Sequence, residues 1–86
     1  MYKIRLSNGE EYPARFCSAR GGLLTMSIQT DRSFLAVAHS FADYSQTVTF
    51  IYDSTEETFE GYTELVMING IEAGEYLITL RQEANS

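Results

Sequence analysis

A chain of 86 residues with 44% hydrophobic and 13% aromatic side chains has room for one domain around one core, and too much apolar content for a disordered tail. Twelve carboxylates against six lysines and arginines give a net charge of −6, and so few cations disfavour direct nucleic-acid binding, because phosphates attract clustered bases. The single cysteine, Cys17, excludes an internal disulfide, and no run approaches the roughly 18 apolar residues that span a bilayer.

In chain order, Tyr2, Ile4 and Leu6 alternate with Lys3 and Arg5, which predicts a half-buried strand. Asn8-Gly9 predicts a type I′ hairpin turn, whose two central residues need positive φ. A second strand runs through Tyr12, Ala14 and Phe16, and Pro13, lacking an N–H, places it at an edge or a bulge. Ala19 to Gly22 reads as a turn, and Leu23 to Gln29 as a third strand with Leu24, Met26 and Ile28 on one face.

From Thr30 the pattern changes. Thr30, Asp31 and Ser33 are good N-caps, and Phe34, Ala38 and Phe41 recur at helical spacing, which predicts a short helix over 32–41. An extended run through Leu35, Val37 and His39 is the competing reading of the same residues. Thr47 to Tyr52 is β-branched and aromatic, with Val48, Phe50 and Tyr52 on one face. Asp53 to Glu57 supplies a turn.

The longest strand-like stretch is Thr58 to Asn69. Period two places Glu56, Thr58, Glu60, Tyr62 and Glu64 on a wet face, and Phe59, Gly61, Thr63, Leu65 and Met67 toward a core, with a bend or bulge at Gly61. Asn69-Gly70 and Gly74 bound a longer connection before a last strand, Glu75 to Arg81, with Tyr76, Ile78 and Leu80 inward. The order β-β-β-α-β-β-β predicts a mainly β domain, α+β by count: a small antiparallel roll or partly open barrel of about six strands. One domain over 1–82 and a frayed polar tail over 83–86 are expected.

Charge is unevenly distributed. Residues 1–32 carry +2 and residues 33–86 carry −8, Arg81 being the only lysine or arginine of the second part. Either basic early strands lie beside acidic later ones, each cross-strand pair contributing about 0.2–1 kcal/mol, or an acidic face meets a basic partner or the basic end of another copy.

Material for catalysis is thin. His39 is the only histidine and Cys17 the only thiol, too few for a zinc site or a separate base and orienting group, so no catalytic, cofactor or metal residue is assigned. A Cys17–His39 dyad would need the two side by side, and a small buried thiol is the ordinary alternative. Asp53, Glu56, Glu57, Glu60 and Glu64 lack the ligand pattern of a calcium loop, and same-face neighbours four residues apart stand well beyond pairing distance. Ala19-Arg20-Gly21-Gly22 lacks the strand-loop-helix context of a phosphate loop.

Phe41-Ala42-Asp43 and Gly61-Tyr62-Thr63-Glu64-Leu65, taken with the opening strand and Asn8-Gly9, resemble segments of small proteins encoded in prophages and other mobile elements of Gram-positive bacteria. The resemblance covers most of the chain and implies a setting, with no activity and no site residue. The expectation is a non-enzymatic interaction or assembly module, an accessory or structural component of a phage-like element. Its partner would be a protein or another copy of itself, met at sheet edges and through Glu60, Tyr62 and Glu64. The alternative is an acidic inhibitor whose carboxylates imitate phosphates before a host nucleic-acid-handling or defence protein. No secretory signal pattern opens the chain and no cofactor or membrane partner is indicated. A cytoplasmic protein, or one built into a phage particle, is therefore expected.

Overall fold

The structure is a computed structural model that describes residues 2–83. Its strands are β1 (Tyr2–Arg5), β2 (Glu11–Arg20), β3 (Leu23–Gln29), β4 (Thr47–Tyr52), β5 (Thr55–Glu60), β6 (Glu64–Glu72) and β7 (Glu75–Arg81), with helix α1 (Phe34–Asp43) between β3 and β4. They form one antiparallel sheet of seven strands in the order β5-β4-β1-β2-β3-β7-β6, not closed into a barrel. The fold class is the one the alternation predicts: mainly β, antiparallel, with one short helix.

The stretch Thr58 to Asn69 supplies two of those strands. Phe59 pairs with Val48 of β4 and Leu65 with Leu80 of β7, so the chain leaves one edge of the sheet and joins the other across Gly61, Tyr62 and Thr63. Gly61 makes the step in a left-handed conformation, φ 84°, which a residue with a Cβ enters only at a cost.

Each hairpin follows its own turn chemistry. Between β1 and β2 only Gly9 has positive φ (92°), and its N–H donates to the Leu6 carbonyl while the Leu6 N–H donates to the Glu10 carbonyl. The expected type I′ turn is thus replaced by a three-residue loop, because the Asn8 side chain accepts the Glu10 N–H at 3.0 Å and keeps its own backbone out of the left-handed region. The two-residue, doubly left-handed turn occurs instead at Gly21-Gly22 (φ 60° and 78°), extending β2 to Arg20. Asp53-Ser54 alone turns β4 into β5. No long connection separates β6 and β7: Asn69 and Gly70 pair with Leu77 and Tyr76, and the chain reverses at Ala73-Gly74.

β2 bends the sheet. Its first half pairs with β1 through Glu11, Tyr12 and Pro13, and its ladder with β3 begins at Ala14. Pro13 therefore faces only one neighbouring strand, which its missing N–H permits. A bulge at Arg15 follows. The extra residue reverses the alternation: Tyr12 and Ala14 stay in the core, but Phe16 pairs with Ser27 and turns to the opposite face. A second bulge, at Val66 in β6, does the same to Met67, which pairs with Thr79 rather than facing the core with Leu65.

The core gathers Ile4, Leu6, Tyr12, Leu24, Met26, Ile28, Val48, Ile78 and Leu80 from the sheet with Val37 and Phe41 from α1. Each fully buried aliphatic or Phe side chain contributes about 1.5–3 kcal/mol relative to exposure. Ser33 caps α1 by accepting the Ala36 N–H at 3.2 Å, so the helix starts two residues later than expected and excludes the extended alternative. Phe41 lies against Tyr12, ring centroids 5.8 Å apart, and packs the helix onto the sheet. Gln82 and Glu83 are tied in by N–H donation to the carbonyls of Gly22 and Gly61. The rest of the predicted tail, 84–86, lies outside the described residues. No helix among those residues is long and apolar enough to cross a membrane.

Candidate interaction surface

Glu60, Tyr62 and Glu64 sit at the seam where the chain crosses between the two sheet edges. Glu60 ends β5, Tyr62 lies in the link, and Glu64 opens β6. The seam is held by backbone. The Gly61 N–H donates to the Gln46 carbonyl at 3.0 Å, the Gly61 carbonyl accepts from Glu83 at 2.9 Å, and the Gln82 N–H donates to Gly22 at 2.8 Å. Four segments distant in sequence, at Gly22, Gln46, Gly61 and Gln82-Glu83, thus meet with little use of side chains.

The single carboxylate face expected of this stretch is broken by the link. Tyr62 turns its ring edge-on to Phe59, 6.3 Å between centroids, and packs with it against the core. Glu64 accepts a hydrogen bond from Arg81 at 3.1 Å. Glu60 is exposed and, among the described residues, makes no ion pair. Beside it is an open surface depression of about 830 Å³, lined by Gly21 to Leu23, Glu60, Gly61 and Arg81 to Glu83. With Arg81 engaged by Glu64, the carboxylates of Glu60 and Glu83 set the sign of this depression, which suits a cation.

A second polar cluster lies between α1 and the β1–β2 hairpin. The Arg32 guanidinium donates to Glu10 Oε2 at 2.5 Å, to the Tyr12 hydroxyl and to Ser40 Oγ at 3.2 Å. The Asn8 amide donates to Glu10 at 2.7 Å; this bond, with Ser40 and Arg32, holds the Glu10 carboxyl below its ordinary value of 4.5 despite some desolvation. The cluster's polar groups are spent on one another, and it ties helix to sheet.

The remaining candidates do not converge. Cys17 pairs with Met26 and faces the core, where burial first and the Glu57 charge second push its thiol up to about 12, so it stays protonated and a poor nucleophile at neutral pH. His39 is exposed on α1 beside Asp43, 3.4 Å away. Glu57 pairs with Phe50 on the inner face, apart from Glu56, which meets Arg5 at 3.5 Å. Among the described residues no group of three or more His, Cys, Asp or Glu is placed to hold a metal ion.

Alternation along each strand gave no warning of the polar assembly on the outer face of β3 and β7. There Glu75, 5% exposed, accepts from Ser27 Oγ at 2.6 Å and meets the bulged Arg15 at 2.9 Å. A buried carboxylate is tolerated only with such partners. The pair Arg15–Glu75, with Arg5–Glu56, also realises the early-basic, late-acidic strand contacts that the charge split anticipates. Comparison of the chain with protein-family models, with curated proteins and with solved structures gives no match.

Proposed function

We propose that this chain is a non-enzymatic protein-interaction or assembly module that docks through the acidic seam between β5 and β6. The observation that carries it is the way the seam is built. Backbone hydrogen bonds at Gly61 and Gln82 fix the geometry, leaving Glu60 without a side-chain partner among the described residues, beside a ready depression and next to Glu83, whose carboxylate accepts from Thr63 Oγ1 at 3.4 Å. A surface held rigid by its backbone loses little entropy when it is met. The resemblance of Phe41-Ala42-Asp43 and Gly61-Tyr62-Thr63-Glu64-Leu65 to prophage-encoded proteins supports a role as an accessory or structural component of a phage-like element. Phosphate mimicry has less support: the carboxylates form no continuous track, since Glu56 and Glu64 are paired with arginines and Glu57 is on the inner face.

The test is co-purification with the tagged full chain from phage-bearing and phage-free cells, using the parent and Glu60→Lys. A protein retained by the parent and lost with Glu60→Lys, whose circular dichroism and melting temperature match the parent's, supports the seam. Equal retention by both chains, or no retention together with a strict monomer by light scattering, overturns it.

A further inference from the structure

We infer that the outer face of β2, β3, β7 and β6 is a self-complementary surface on which a second copy of this chain packs, about a two-fold axis parallel to the strands. The inference deepens the assembly reading and rests on it. Two irregularities point to this face. The bulges at Arg15 and Val66 lie in the two flanking strands, and each turns outward an apolar residue that regular alternation would bury: Phe16, 42% exposed, and Met67, 45% exposed. Bulges that re-aim a side chain are features of a working surface more often than defects.

The register then orders the face into rows across the four strands. One row runs Arg20, Leu23, Arg81, Glu64; the next outward-facing rows run Ser18, Thr25, Thr79, Met67 and Phe16, Ser27, Leu77, Asn69; the last holds Gln29, Glu75 and Glu72, with Arg15 reaching in. The β2 margin is thus basic, through Arg15 and Arg20, and the β6 margin acidic, through Glu64 and Glu72. Arg20 and Glu72 make no ion pair among the described residues. A two-fold axis along the midline between β3 and β7 lays each β2 margin over the other copy's β6 margin. Arg20 then comes beside the second copy's Glu64, which also holds its own Arg81, and Glu72 beside the second copy's Arg15, which also holds its own Glu75, so each contact adds one unpaired charge to an existing pair, twice over. Phe16 comes down one row from the second copy's Met67, within reach of a ring–sulfur contact. Isologous packing requires this antisymmetry of charge about the midline, and aligned sheets tolerate it.

The face is modest, about 19 Å across four strands and about 20 Å along β3, on the order of 400 Å² against the roughly 800 Å² per partner of a standard interface. Weak, concentration-dependent dimerisation follows.

The experiment is sedimentation equilibrium of the full chain from about 1 µM to about 1 mM, a range that suits a small interface, for the parent, Arg20→Glu, Glu64→Arg and an equimolar mixture of the two variants. Each variant alone sets like charges together at both contacts and is expected to raise the dimer dissociation constant about tenfold or more. Mixed, the two form a heterodimer in which both contacts are opposite in sign, and association is expected to return to near the parent's. A parent that stays monomeric throughout, variants that dimerise like the parent, or weakened variants that mixing does not restore would each overturn the inference. The binding assay with Glu60→Lys reads separately, because Glu60 lies outside the rows and a failed self-contact leaves the seam to its own test.

Discussion

The seam at Gly61 and the joint at Arg32 both tie together segments far apart in sequence, but with different material. At the seam the ties are backbone N–H and carbonyl groups, between Gly61 and Gln46, Glu83 and Gly61, and Gln82 and Gly22. At the joint they are side chains, Arg32 with Glu10, Tyr12 and Ser40. The consequence for function is direct. Where side chains do the tying, their hydrogen-bonding capacity is used up within the molecule; where backbone does it, a charged side chain such as Glu60 remains for a partner even though Glu64 and Arg81 hold each other. This is why the seam, rather than the more densely polar joint, is the better candidate for binding.

The comparison breaks most decisively at Gly61. A Cβ there would meet only Gln82 Cγ at 4.0 Å, so the cost of a side chain is conformational rather than steric. Gly61→Val, β-branched at φ 84°, is expected to destabilise by about 2 kcal/mol or more. The midpoint of urea unfolding should fall with little change in slope, and amide exchange should quicken at Gly61, Gln82 and Glu83 ahead of β1. Unchanged stability would mean the link carries no backbone constraint. Arg32→Ala, by contrast, removes side-chain ties while leaving every strand ladder in place. Its midpoint should fall by less than that of Gly61→Val, with accelerated exchange confined to α1 and the β1–β2 hairpin, and with partner retention at Glu60 unaltered.

The joint and the seam also differ in how far they could be read from sequence. Ser33 as a cap, a helix with Phe41 on its buried face, and the inward sets Leu24, Met26, Ile28 and Tyr76, Ile78, Leu80 follow from local patterns, and the structure has them, although Phe34 of the expected helical set is exposed and Val37, which belongs to the extended reading, is buried in its place. What the pattern could not show was where a ladder slips. Tyr12, Ala14, Phe16 reads as unbroken alternation, yet the partner strand β3 spends one residue fewer and Phe16 turns out. Likewise nothing within Thr58 to Asn69 announces that its halves belong to opposite edges, because pairing partners are a property of the sheet and not of the segment. Glu60, Tyr62 and Glu64 therefore lie close in the chain but do not share one face, and the outward pair Phe16 and Met67 appears only once register is known.

The finest distinction between the two regions is their response to acid. At the joint, the Glu10 carboxyl is held below its ordinary value of 4.5 by hydrogen bonds from Asn8, Ser40 and Arg32. A carboxyl lowered in the folded state adds stability above its unfolded value, and that contribution is lost as the pH falls through the folded value, because the protonated acid surrenders the same bonds. The difference in unfolding midpoint between the parent and Glu10→Gln should thus be constant from neutral pH down to the ordinary carboxylate range. Below about 4.5 it should narrow, reaching its floor once Glu10 is protonated in both states. Gly61→Val deletes no titratable group, and its deficit should stay the same over that range. A Glu10→Gln difference as flat as that of Gly61→Val would show that charge contributes nothing to the Arg32 joint, and the contrast between side-chain and backbone ties would then rest on geometry alone.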